Sequence, residues 1–123
     1  MPETTRQITR NLMFKEMITL AESVETWSRE ESPKGSPEYS CLYTGQNGSI
    51  TIELKLSSNQ GDNRYRIIAK DVGSSRLLGE REAFQPAYVP GSRLPPDTLT
   101  IMPLLQLMGY VRTKWEQQES VKS

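Results

Sequence analysis

The sequence predicts an α+β fold: an N-terminal amphipathic helix, an antiparallel meander of three or four strands, and a C-terminal helix, with the helices packed on one face of the sheet. Three observations predict it. Apolar residues recur at steps of three and four near both ends of the chain, they alternate with polar residues in the middle, and short turn-forming stretches separate the alternating segments. A run of strands flanked by helices makes an α+β layer arrangement rather than a parallel α/β one. At 123 residues a single domain is expected, because two would each sit near the lower limit for a self-sufficient core.

The first helix is expected over about residues 5–30. Thr4-Thr5-Arg6-Gln7 matches the capping box that satisfies free amides at a helix start. Ile8, Leu12, Met13, Met17, Leu20, Ala21, Val24 and Trp27 then mark one apolar stripe, and the Pro33 to Pro37 stretch ends it. A helix of that length spans about 39 Å, more than the width of a four-stranded sheet. Its Leu12, Met13, Phe14 and Met17 cluster is therefore expected to overhang and bury itself against a second copy, in a homodimer.

The sheet is expected over about residues 38–84. Tyr39, Cys41 and Tyr43 share one side of a first strand that ends at Thr44, and Thr44 to Gly48 reads as a turn. Ile50, Ile52, Leu54 and Leu56 alternate with Thr51, Glu53, Lys55 and Ser57, which gives one buried and one wet face. After the Asn59 to Asn63 turn, Tyr65, Ile67 and Ala69 point one way, and Arg64, Arg66, Ile68 and Lys70 the other. Leu77 to Phe84 reads as a fourth strand. Residues 85–98 hold four prolines and form a loop. A second helix is expected over about 100–118, with Thr100 as its cap, Pro103 in its first turn and a stripe of Ile101, Leu104, Leu105, Met108, Val111 and Trp115. Trp27 and Trp115 are expected to plug the core at the ends of the two stripes.

Composition narrows the chemistry. With no histidine, a Ser-His-Asp triad, a Cys-His dyad and an HExxH zinc helix are all excluded, and one cysteine builds neither an internal disulfide nor a cysteine-based zinc site. The chain has no phosphate-binding glycine loop, no dinucleotide fingerprint and no calcium loop. No catalytic residue, metal or cofactor is therefore expected, and no motif is specific enough to assign a family. Cys41 reads as a small core residue, and Asn47-Gly48-Ser49 as a turn rather than a glycosylation site. Glu80 and Glu82 share a strand face, but Arg81 between them suits a solvated edge better than an acid–base pair. The first 30 residues contain no uninterrupted apolar segment of signal-peptide type and no run long enough to span a membrane, so a cytoplasmic, membrane-free protein is expected.

What remains is binding. Lys and Arg number 15 and Asp and Glu also 15, so no basic excess points to a polyanion. Positive charge concentrates only on one strand face, where Lys55, Arg64, Arg66 and Lys70 form a candidate site for an anionic ligand or partner. Glu53 on the neighbouring strand is placed to neutralise Arg64 or Arg66. The loop residues Phe84, Tyr88 and Arg93 form a second candidate contact. The reading is a small non-catalytic binding or adaptor protein that contacts other proteins as a homo-oligomer. The alternative is a nucleotide or single-stranded nucleic-acid binder, with Tyr65 or Tyr88 stacking on bases above the arginines.

Overall fold

The computed structural model describes residues 12–85 and 98–122. Their order is α1 (Phe14–Glu22), β1 (Trp27–Glu31), β2 (Tyr39–Asn47), β3 (Ile50–Asn59), β4 (Asp62–Asp71), β5 (Leu77–Gln85) and α2 (Thr98–Lys122). The strands form one antiparallel sheet in sequence order, with both helices on one face. The α+β class and the meander are as predicted, with five strands in place of three or four.

The added strand is β1, and it replaces the second half of the predicted first helix. Residues 1–11, including the Thr4–Gln7 capping box, lie outside the described residues. Helix α1 starts after Met13, whose N–H donates to Glu16 Oε1 at 3.0 Å, and it ends at Glu22. At nine residues it is about 13.5 Å long. The overhang expected from a six-turn helix is therefore absent among the described residues.

Two interactions favour a strand at 27–31 over more helix. First, β1 pairs with β2 from Trp27↔Gly45 to Glu31↔Cys41, which satisfies backbone groups that β2 would otherwise leave at an open edge. Second, α2 reaches across with side chains at i, i+4 and i+8. Tyr110 Oη donates to the Glu22 carbonyl at 3.2 Å, Lys114 Nζ donates to the Val24 carbonyl, and Gln118 holds Trp27 on both sides. The Trp27 N–H donates to Gln118 Oε1 at 2.8 Å, and Gln118 Nε2 donates to the Trp27 carbonyl at 2.9 Å. One amide side chain thus pairs with the outer edge of β1 at Trp27 as a residue of a sixth strand would. Gln118→Ala should cost about 1–2 kcal/mol in chemical denaturation, because both partners are part-buried backbone groups. A loss below about 0.3 kcal/mol would show that water replaces the amide freely.

The turns set the register. β2 runs through Gly45, where the sequence pattern predicts a turn, and the reversal is the two residues Gly48 and Ser49. Gly48 sits at φ +61° and Ser49 does not share that region, as in type II′ hairpins. The β3–β4 reversal is Gln60 (φ +54°) and Gly61 (φ +89°), both left-handed, as in type I′. Asn47 is engaged inside the fold, its amide donating to the Leu20 carbonyl at 3.0 Å.

The core lies between the sheet and the helices. Ile52, Leu54, Ile67, Ala69 and Leu78 of the sheet meet Met17 and Ala21 of α1 and Ile101, Leu104, Leu107 and Val111 of α2. Helix α2 begins two residues earlier than expected and crosses the sheet from β5 to β1. At its start Arg81 donates to Thr100 Oγ1 at 2.9 Å, so Thr100 is a fully buried acceptor inside the helix rather than its cap. Pro103 consequently falls one turn in. Trp27 is buried as expected, whereas Trp115 is only partly buried.

Candidate functional site

Two surfaces bring polar and charged groups together, one on each side of the sheet. The first is the face that the helices leave open, on which the alternation of β3 and β4 places Lys55, Arg64, Arg66 and Lys70. Lys55 and Arg66 are direct cross-strand neighbours, a like-charge arrangement that costs stability unless the charges turn elsewhere. They do turn. Arg66 pairs with Glu80, its Nε 3.0 Å from Oε2, and Arg64 reaches Glu82 at 3.9 Å. Glu53 takes neither arginine, contrary to the sequence-based expectation, but pairs with Lys70 at 3.4 Å. The reason is topological: β5 lies on the far side of β4 and offers the arginines nearer carboxylates. Glu80 and Glu82, weighed as an acid–base pair, are thus the counter-ions of the arginine row.

Among the described residues, Lys55 and Glu30 are the charges on this face without an ion pair, and they flank Leu42 in one cross-strand row. The next row runs Thr44, Glu53, Ile68, Glu80. Phe84 closes the β5 side at 43% exposure, with the Arg64 guanidinium 5.2 Å from its ring centre. Tyr88 and Arg93 lie outside the described residues. Tyr65 points into the helix-covered side, 6% exposed, so it stands on the wrong face to stack a base above Arg64 and Arg66.

The predicted oligomer cluster separates. Met17 is buried in the chain's own core, Leu12 and Phe14 are half-buried against it, and Met13 alone is well exposed. The Leu12 N–H donates to the Leu78 carbonyl at 2.6 Å, and the Phe14 ring lies under the Arg81 guanidinium at 5.4 Å.

The second surface is a cleft of about 300 Å³ between the covered side of the sheet and the flank of α2 opposite Tyr110 and Lys114. Its floor is Cys41, Tyr43, Leu56 and Tyr65, and its α2 wall is Leu105, Met108, Gly109 and Arg112. Tyr39 forms the rim, and Arg29 of β1 closes the end. Arg29 Nε donates to Cys41 Sγ at 3.1 Å and its Nη1 lies 2.7 Å from Glu31, while the guanidinium stacks 4.8 Å from the Trp115 ring. Burial opposes the charge on Arg29, but the contact with Cys41 and the fields of Cys41, Tyr43 and Glu31 outweigh it and hold the guanidinium above its ordinary range. Burial pushes the Tyr43 phenol up to about 12 and raises Tyr39 in the same direction, so both keep their protons as donors at neutral pH. Sequence reading misses this cleft because it places Arg29 on the wet side of a helix. The only available signal is the pair of tyrosines flanking Cys41 at period two.

Among the described residues, no three Cys, Asp or Glu side chains converge as a metal site requires, and no helix is long and apolar enough to cross a membrane. No protein family, curated protein or solved structure matches the chain significantly.

Proposed function

We propose that this chain is a binding protein that works through the open face of its sheet, and that its first partner is a second copy of itself. The observation that carries the proposal is the charge balance of that face. Lys55, Arg64, Arg66 and Lys70 are matched by Glu30, Glu53, Glu80 and Glu82, and three of the four cations already have their carboxylate. A face so balanced offers a polyanion little, since phosphate binding draws on unneutralised cations. It suits a self-complementary contact, with Leu42, Ile68 and Phe84 as apolar points between the charges. Five strands at about 4.8 Å and nine residues at about 3.4 Å cover roughly 700 Å², close to the ~800 Å² per partner of a standard interface.

The test is the mass in solution. Native mass spectrometry and sedimentation at tens of micromolar should report a dimer. Ile68→Lys combined with Leu42→Ser should release monomer without lowering thermal stability, because the introduced ammonium would sit between Glu53 and Glu80. A wild-type monomer at about 100 μM, or a dimer indifferent to both changes, would overturn the reading. Salt-sensitive oligonucleotide binding that vanishes in Arg64→Ala/Arg66→Ala would instead favour a nucleic-acid partner.

A further inference from the structure

The cleft beneath α2 faces away from the proposed dimer surface, and its chemistry differs. Among the described residues, its charged lining residues are Arg29 and Arg112, with no carboxylate among them. Arg29 is fixed by Glu31 and Cys41 and contributes its field from a wall, with its side chain only 19% exposed. Arg112 stands at the mouth, and its ion-pair partner is Glu116, one turn along α2 at 3.3 Å with both side chains exposed. Exposed pairs of this spacing are weak and exchange readily for a better anion, and a guanidinium meets a carboxylate in a planar, two-pronged fashion. Beside Leu56 and Leu105, the lining includes Tyr39, Tyr43, Tyr65 and the sulfur of Met108, surfaces that favour flat rings.

Gly109 is an independent observation. It lies in the interior of a 25-residue helix, where glycine is a poor helix former, yet a Cβ at this position would meet nothing within 4 Å. Packing among the described residues does not require a glycine there; the position is open and borders the cleft, which Gly109 lines. At about 300 Å³ the cleft matches the lower end of small-molecule sites, enough for a two-ring ligand.

We infer that this cleft binds a small aromatic carboxylate, its rings between Tyr43, Tyr65 and Met108 and its carboxylate on Arg112. The probes are 2-naphthoate and its neutral counterpart 2-naphthylmethanol, titrated against the full chain by fluorescence and calorimetry. Naphthoate should bind saturably at one site per chain, at least about tenfold tighter than the alcohol. Arg112→Gln, at an exposed position, should reduce that preference to about twofold or less while the alcohol binds as before. Gly109→Leu should abolish binding of both probes without lowering the melting temperature, since leucine improves the helix while it fills the space. Naphthoate should also slow alkylation of Cys41, the chain's single thiol, in the cleft floor. Absence of saturable binding up to about 10 mM, equal affinity for the two probes, or undiminished binding in Gly109→Leu would each overturn the inference.

Discussion

Replacing Trp27 with alanine is expected to remove about 3–5 kcal/mol of folding stability, the range for truncating a large buried aromatic side chain. Trp27 is 2% exposed, it opens β1, and its backbone is the one gripped by Gln118. The ring also lies against the Cα of Gly45 on β2, so its loss leaves a hole at the junction of α1, β1 and α2 rather than at a free edge. Trp27→Phe is expected to behave differently. Among the described residues the buried indole Nε1 has no hydrogen-bond partner, a donor whose desolvation is uncompensated there. Phenylalanine gives up some buried area but removes that donor, and the two effects are of similar size, about 1–2 kcal/mol each. Urea denaturation should therefore place Trp27→Phe within about 1 kcal/mol of wild type and Trp27→Ala far below it. A Phe variant that loses as much as the Ala variant would mean that the indole N–H has a partner in solution.

The same residue marks where the sequence stops being legible. From Ile50 to Ser57 the alternation is strict and from Arg64 to Lys70 it is broken only by Ile68, and the faces it assigns are those of β3 and β4. Helix α2 is legible from its stripe, because Ile101, Leu104 and Val111 are all core residues. In β1 the inner positions after Trp27 are Arg29 and Glu31, which supply no hydrophobic period of two. Val24 and Trp27 are three residues apart, a spacing that continues a helical stripe and that a period-two strand would split between its two faces, so the local pattern itself points to helix. The decision is tertiary: it rests on the hydrogen bonds that β2 needs at its edge and on the reach of Tyr110, Lys114 and Gln118 from α2.

The two candidate surfaces divide along the same line. The open face is legible because period two on adjacent strands places Lys55, Arg64, Arg66 and Lys70 together wherever a meander forms. Its neutralisation is not, since the partners of the arginines depend on β5 lying beside β4. The cleft draws on four strands and on a helix flank more than sixty residues away from Cys41, and no local pattern announces such a convergence. The role of Arg29 in particular follows from β1, so a reading that loses the strand loses the site with it.

Gly45→Ala carries the second large expectation, about 3 kcal/mol of destabilisation from one methyl group. Overpacking of a filled core costs typically 1–3 kcal/mol, and here the geometry points to the upper end. A Cβ on Gly45 would stand 2.5 Å from Val24 Cγ1 and 2.8 Å from Trp27 Cε3, both closer than carbon atoms approach in folded chains. Trp27 cannot yield, because its backbone is held by β2 on one side and by Gln118 on the other. The cause is space rather than backbone conformation, since Gly45 pairs within an ordinary extended strand and has no positive φ. That distinction has a measurable consequence. Val24→Ala alone should cost about 1–3 kcal/mol by opening a cavity, but the double variant should cost less than the sum, because the new methyl enters the space that valine vacates. A coupling of about 1–2 kcal/mol in a double-mutant cycle is expected. Additivity within about 0.5 kcal/mol would mean that the two groups do not compete, and that β1 does not pack over Gly45 as the register requires.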